Sequence, residues 1–241
     1  MIIDIVTIFP EFFNDFLDNS IIKKAIICNQ VDIRLNQLRD YSHNKHKKID
    51  DTPYGGGVGM LMAFPPFYDC IEKIKTPESK IIMLSPQGKL FNQKKAIELS
   101  KEKHLILLCG HYEGIDARVE ELIDEEISIG DYVLTGGEIP AMIITDAVTR
   151  LIPDVIHADS AEEDSLQNGW LKFPQFTKPE KYKGYHVPEV LRSGNHQLID
   201  QYRFEESIKQ TMRKRPDLID KIELTEKEEK VLQKLNNPIK K

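Results

Sequence analysis

The sequence lacks any pattern of paired cysteines. Cys28, Cys70 and Cys109 are its three cysteines in 241 residues. None has metal-ligand spacing, so neither a disulfide framework nor a zinc site follows. Reduced, partly buried thiols fit a cytoplasmic location. Long apolar runs are also missing: Asp146 and Arg150 interrupt the best stretch, short of the roughly 20 residues a membrane span needs. Met1-Ile2-Ile3-Asp4 carries no basic leader and reads as a strand rather than a signal peptide. The common nucleotide signatures are absent as well. No Gly-x-Gly-x-x-Gly opens a helix after the first strand, and Gly88-Lys89 is followed by Leu90 instead of Ser or Thr. NAD enzymes and P-loop NTPases therefore lose support. So does a Rossmann methyltransferase, because the first strand ends in Phe9-Pro10-Glu11 and not in a glycine turn.

What is present is ordinary globular composition, 40% apolar and 30% charged, on a chain long enough to bury a core without covalent staples. The net charge is −6 but uneven. Leu171 to Arg215 holds ten Lys/Arg and five Asp/Glu, leaving −11 on the other residues. Such asymmetry reads as an anion-binding face or as a solvated helical surface, and charge alone favours the second.

Ile2–Phe9 is β-branched and apolar, a buried strand, and Pro10 suits a first helical turn before Phe12, Phe13, Phe16 and Leu17. Val31, Ile33 and Leu35 alternate as a strand; Lys80–Leu84, Leu105–Cys109 and Glu126–Ile129 are short strands. Helical spacing predicts helices over Asn92–Ser100, Asp116–Ile123 and Pro140–Leu151. Strands alternating with helices argue for an α/β domain with a largely parallel sheet over 1–158. The acidic, aperiodic run around Asp159–Ser165 reads as a flexible linker or lid over 159–172. Beyond it, over 173–241, the pattern is all-helical: Asn195–Arg213, then a last helix opened by the capping box Thr225-Glu226-Lys227-Glu228.

Three glycine-bearing turns follow three separate strands: Ser85–Gly88, Gly110–Gly114 and Gly130–Gly137. Ligands of open α/β sheets lie beyond the carboxyl ends of strands. Each turn alone is explained by tight geometry; three in one domain leave open whether they converge on one flat ligand such as an adenine nucleoside.

Six motifs carry a family resemblance. Asp51-Thr52-Pro53-Tyr54-Gly55-Gly56-Gly57-Val58-Gly59-Met60, Leu84–Gly88, Cys109-Gly110-His111-Tyr112-Glu113-Gly114, Ser128–Met142 and Val187–His196 together resemble the TrmD family, and Arg213–Leu218 is similar to its C-terminal motif. The resemblance runs from Met1 to about Asp220. It implies a SPOUT-type parallel sheet with a deep trefoil knot, a feature too rare to read from patterning, followed by a small helical domain. It implies a homodimer with active sites shared between subunits, and methyl transfer from S-adenosyl-L-methionine to N1 of the tRNA guanine at position 37, 3′ to the anticodon. A magnesium requirement is implied too; no dedicated carboxylate cage stands out and no metal ligands are assigned, so RNA and donor would supply part of the ion's shell.

Carried over position by position, the resemblance places the methyl donor against Pro86, Gln87, Gly110, Tyr112, Glu113, Gly114, Ile129, Gly130, Asp131, Tyr132, Val133, Leu134, Gly136, Gly137 and Pro140. Asp51, Tyr54, Gly55, Gly56, Gly57 and Gly59 would line the guanine pocket, with Ser165, Arg192, His196, Arg203, Arg213 and Arg215 on the tRNA. The basic loop from Arg39 to Lys48 is a further RNA candidate. Asp164 and Arg150 match the catalytic pair: a base for the N1 proton and a cation for charge growing on O6. Read alone, Asp164 is a solvated linker acid and Arg150 complements a helix dipole. Departures are His111 where arginine is common, Val58, and Asp154 and His157 after Pro153. Two other readings stand beside this one: a non-catalytic RNA-binding module, and a SPOUT enzyme with another target.

Overall fold

The computed structural model describes residues 1–156 and 164–236, and the chain divides into two units, Met1–Ala158 and Asp159–Lys241. In the first, the apolar segments become strands β1 (Ile2–Thr7) and β2 (Asp32–Gln37), a short antiparallel ribbon β3 (Asp50–Asp51) and β4 (Leu61–Met62), then β5 (Ser79–Leu90), β6 (His104–Cys109) and β7 (Glu125–Ser128). Five of them form a parallel sheet in the order β2-β1-β6-β5-β7. The helices are α1 (Asn14–Leu17), α2 (Ser20–Ile27), α3 (Phe64–Ile74), α4 (Gln93–Leu99) and α5 (Glu138–Thr149).

Period-two alternation splits the core into two layers. Leu105, Leu107 and Cys109 of β6 cluster with Ile3 and Ile5, Ala25 of α2, Leu99 of α4 and Ala141, Ile144 and Val148 of α5. Ile106 and Leu108 cluster with Val6, Met83 and the α3 residues Phe67, Cys70 and Ile71. Every residue of β6 is buried, as expected of a parallel strand covered on both faces. The Asp4 carboxylate is buried in this interior. Asp4 accepts from Asn36 Nδ2 at 2.7 Å and meets His104 Nε2 at 2.7 Å, while His104 Nδ1 lies 2.7 Å from Ser79 Oγ. Both carboxylate oxygens are satisfied, which is what burial of a charge requires.

Several elements differ from expectation. The Ser85–Gly88 turn lies inside β5: Leu84 and Lys89 both pair with Ile127, so four residues leave the ladder and the strand then resumes. Asp116–Ile123 is not an α-helix but a 3₁₀ segment, Ala117–Leu122, with the Asp116 side chain accepting from the Arg118 amide. Helix α3, unforeseen, starts on Phe64-Pro65-Pro66, with proline tolerated in a first turn.

The second unit is described by itself. Trp170, Ile208, Val231 and Leu232 form its core, with Phe204, Met212 and Ile222 packed against it. Helices α6 (His196–Lys214) and α7 (Glu226–Asn236) are its long elements. The capping box forms: Glu228 Oε2 accepts from the Thr225 amide at 2.7 Å, and Thr225 Oγ1 accepts from the Glu228 amide at 3.4 Å. Expectation differs here too, because this unit contains strands β8 (Lys181–Tyr182) and β9 (Tyr185–His186), paired antiparallel. Two-residue strands are too short to show alternation. Of the linker expected over 159–172, residues 159–163 lie outside the described residues; Asp164 onward forms turns, with the Leu166 amide donating to Trp170 O at 2.7 Å.

Candidate active site

Beyond the carboxyl ends of β6 and β7, and beside the excursion in β5, lies a cavity of about 420 Å³, within the usual size of a small-ligand site. Its wall is made by the three glycine turns. Pro86, Gln87, Gly110, Tyr112, Glu113, Gly114, Ile129, Gly130, Tyr132, Val133, Leu134, Gly136, Gly137 and Pro140 all line it. Of the expected donor residues only Asp131, which is exposed, is missing from the lining.

Close backbone contact brings the turns together. The Gly137 amide donates to Gly110 O at 2.9 Å, and His111 bridges to Gly136. A Cβ at Gly137 would lie 2.6 Å from Cys109 Cα, so only glycine allows the approach. A Cβ at Gly88 would meet the Glu126 carbonyl carbon at 2.4 Å, which is why the β5 excursion can lie against β7. Tyr112 adopts φ +60°, a left-handed conformation unusual for an aromatic residue and held here by the loop around it.

Side chains add a second lock. His111 Nε2 lies 2.8 Å from Glu138 Oε2, and Thr7 Oγ1 donates to Glu138 Oε1 at 2.7 Å. Glu138 is buried in the first turn of α5, where the helix dipole favours a carboxylate. The Gly110–Gly114 turn is tied in turn to the Asp51–Met60 loop: the Glu113 amide donates to Met60 O at 3.1 Å and the Met62 amide to Gly114 O at 2.9 Å.

Residues that sequence reasoning missed include Glu120 and Glu126. With Glu113 they give the cavity three carboxylates, and no lysine or arginine is among the described residues lining it. Such a site repels polyphosphates and favours a cationic or zwitterionic ligand. Glu126 alternates with buried Ile127 on β7, a signal that only the strand register makes readable. Among the described residues, no group of three or more His, Cys, Asp or Glu is placed to hold a metal ion, and no helix is long and apolar enough to cross a membrane.

The profile of the tRNA (guanine-1)-methyltransferase TrmD family matches residues 1–221. The chain belongs to the TrmD family. It is similar along its length to proteins named tRNA (guanine-N(1)-)-methyltransferase: 58% identical over 236 residues to that of Acholeplasma laidlawii, covering 98% of this chain and 97% of the relative. It is 56% identical over 242 residues to that of Onion yellows phytoplasma, covering all of both chains, and 49% identical over 236 residues to that of Geobacillus kaustophilus, covering 96% and 97%.

The remaining TrmD candidates fall into two groups. In the first unit, Asp51 is exposed on β3, its carboxyl held low by the Thr52 amide and by Lys48. Tyr54, Gly55, Gly56, Gly57 and Gly59 follow it in an exposed loop, and Gly59 sits against the Glu113 side chain. Arg150 caps the C-terminus of α5. In the second unit, Asp164 lies 3.9 Å from Lys172 Nζ and Ser165 Oγ accepts from the Lys172 amide at 2.9 Å. His196 opens α6. Arg192 pairs with Glu180, Arg203 lies 4.0 Å from Asp200, Arg213 donates to Gln210, and Arg215 forks onto Asp217. Several cations counted in the basic stretch are thus balanced locally, which charge counting cannot see.

Proposed function

We propose that this chain transfers the methyl group of S-adenosylmethionine to N1 of the guanine at position 37 of tRNA. The observation that carries the reading is the cavity itself. Three glycine turns of a TrmD-family chain line a single site rich in carboxylates and free of lysine and arginine among its described lining residues. S-adenosylmethionine supplies a sulfonium-activated methyl group, and its positive sulfur and ammonium suit such a wall. Backbone groups of Gly110, Ile129, Tyr132 and Leu134 would grip adenine and ribose, and the knot of the SPOUT fold would fix these turns relative to one another.

Guanine N1 carries a proton at neutral pH, so its lone pair is not free for attack. Asp164 takes that proton as the methyl approaches. Charge then grows on O6, and the Arg150 guanidinium stabilises it. The Asp51–Gly59 loop, hydrogen-bonded to the cavity wall through Met60 and Met62, holds the flipped base in line.

The enzyme works in the cytoplasm as a homodimer with sites shared between subunits. Its free thiols suit that compartment. Phe12 and the α5 residues Ile139 and Ile143 remain exposed, an apolar surface that a second copy would cover.

The test is incubation with labelled S-adenosylmethionine and an unmodified transcript with adjacent guanines at the site, followed by nuclease mapping. Label on guanine N1, lost when the target base is changed, is expected. Donor and RNA binding without label would sink the catalytic reading and leave an RNA-binding module; label on another base would move the target.

A further inference from the structure

The hairpin β8–β9 is not used by this mechanism. Lys181 pairs with His186 and Tyr182 with Tyr185, and the Val187 amide donates to Glu180 O at 2.9 Å, closing its base. Lys183 and Gly184 have φ +46° and +86°, the two left-handed positions of a tight turn whose twist matches the strands. Directly opposed residues share a face. Tyr182 and Tyr185 therefore stand together on one side, 61% and 81% exposed, and take no part in the core of their unit. Lys183 Nζ lies 5.4 Å from the Tyr182 ring centroid. Lys178 and Lys181 are exposed in the same segment, and its one acid, Glu180, is paired with Arg192.

Two solvent-facing tyrosines on a short hairpin lie outside the core of their unit. Their π-faces, with Lys183 at the edge and Lys178 and Lys181 exposed in the same segment, match the platform on which unpaired bases stack while cations meet the adjoining phosphates. Duplex RNA, with its bases already stacked, would engage only the lysines. We infer that Tyr182 and Tyr185 form a stacking platform for unpaired bases of the tRNA anticodon loop, with Lys181 and Lys183 on its backbone. This rests on the reading that tRNA is the substrate.

Binding of the full chain to a fluorescent anticodon stem-loop, and to a loopless duplex of the same stem, tests the platform. Tyr182→Ser with Tyr185→Ser should weaken stem-loop binding by about tenfold and leave duplex binding, donor affinity and thermal melting unchanged. Tyr182→Phe with Tyr185→Phe should restore the affinity, because the rings remain. Lys181→Gln with Lys183→Gln should weaken both RNAs and flatten the salt dependence. Wild-type stem-loop affinity in the double serine variant would overturn the inference. So would a change confined to oligomeric state by light scattering, which would make the face a contact between copies. Methylation by the wild type is scored separately: its absence tells against the proposed function, whereas the variant-to-wild-type binding ratio judges the hairpin.

Discussion

His111 and Glu138 are joined across 2.8 Å, and this contact links the turn after β6 to the first turn of α5, two walls of the same cavity. A backbone bridge between His111 and Gly136 runs beside it. The carboxylate of Glu138 is buried, so the pair acts both on folding and on the shape of the site.

Removing the acid should therefore cost on both counts. Glu138→Ala leaves His111 and Thr7 without their partner and should destabilise the fold by about 3 kcal/mol, read from denaturant midpoints. Glu138→Gln retains the hydrogen bonds and should be milder in stability and in donor affinity. Equal losses in the two variants would show that charge, not connectivity, is what matters.

Gly137→Ala places a methyl group 2.6 Å from Cys109 Cα. The loop must shift, and calorimetric donor affinity should fall by at least tenfold. Gly55→Ala, whose Cβ meets nothing within 4 Å, has only its positive φ to overcome and should leave donor binding intact. A Gly137→Ala protein that binds donor normally would falsify the close-approach argument.

Asp164→Asn removes the proposed base and should lower the single-turnover rate by about 10²–10⁴-fold with donor binding retained. Arg150→Ala should cost about 10²–10³-fold. Activity close to wild type in either variant would remove that residue from the proposed chemistry.

Asp4 and His104 offer a contrast, since they are buried away from the cavity lining. Asp4→Ala strands the His104 and Asn36 donors and should destabilise by about 3 kcal/mol. The donor affinity of the remaining folded protein should be unchanged.

Alkaline pH should weaken the fold. Burial pushes the Cys70 thiol from 9.0 up to about 12, and burial, then Cys70, pushes the Tyr41 phenol from 10.0 up to about 12. Both groups are raised in the folded state, so their contribution is complete below the unfolded values and is lost as pH rises through the folded ones. Denaturant midpoints should fall between about pH 9 and pH 12, less steeply in Cys70→Ala. In the native protein an alkylating reagent should modify exposed Cys28 and spare buried Cys70 and Cys109.

Much of this molecule is legible in its residues. Short apolar runs such as Ile2–Thr7 and Leu105–Cys109, bounded by turn signals, read as buried strands of a covered parallel sheet, and Thr225 with Glu228 marks the start of α7 because the capping chemistry is local. The glycine turns were visible as turns for the same reason: backbone freedom is a property of the residue. What patterning could not reach are relationships between distant segments. The return of β5 to its ladder after Gly88, the burial of Glu138 under Thr7, the carboxylates Glu120 and Glu126 on the cavity wall, and the pairing of Arg192 with Glu180 each depend on which segments become neighbours. So does the exposure of Tyr182 and Tyr185, aromatic residues whose composition alone suggests a core. Local conformational preference is written residue by residue, whereas close approach, burial and charge balance arise only when the tertiary structure has chosen the neighbours.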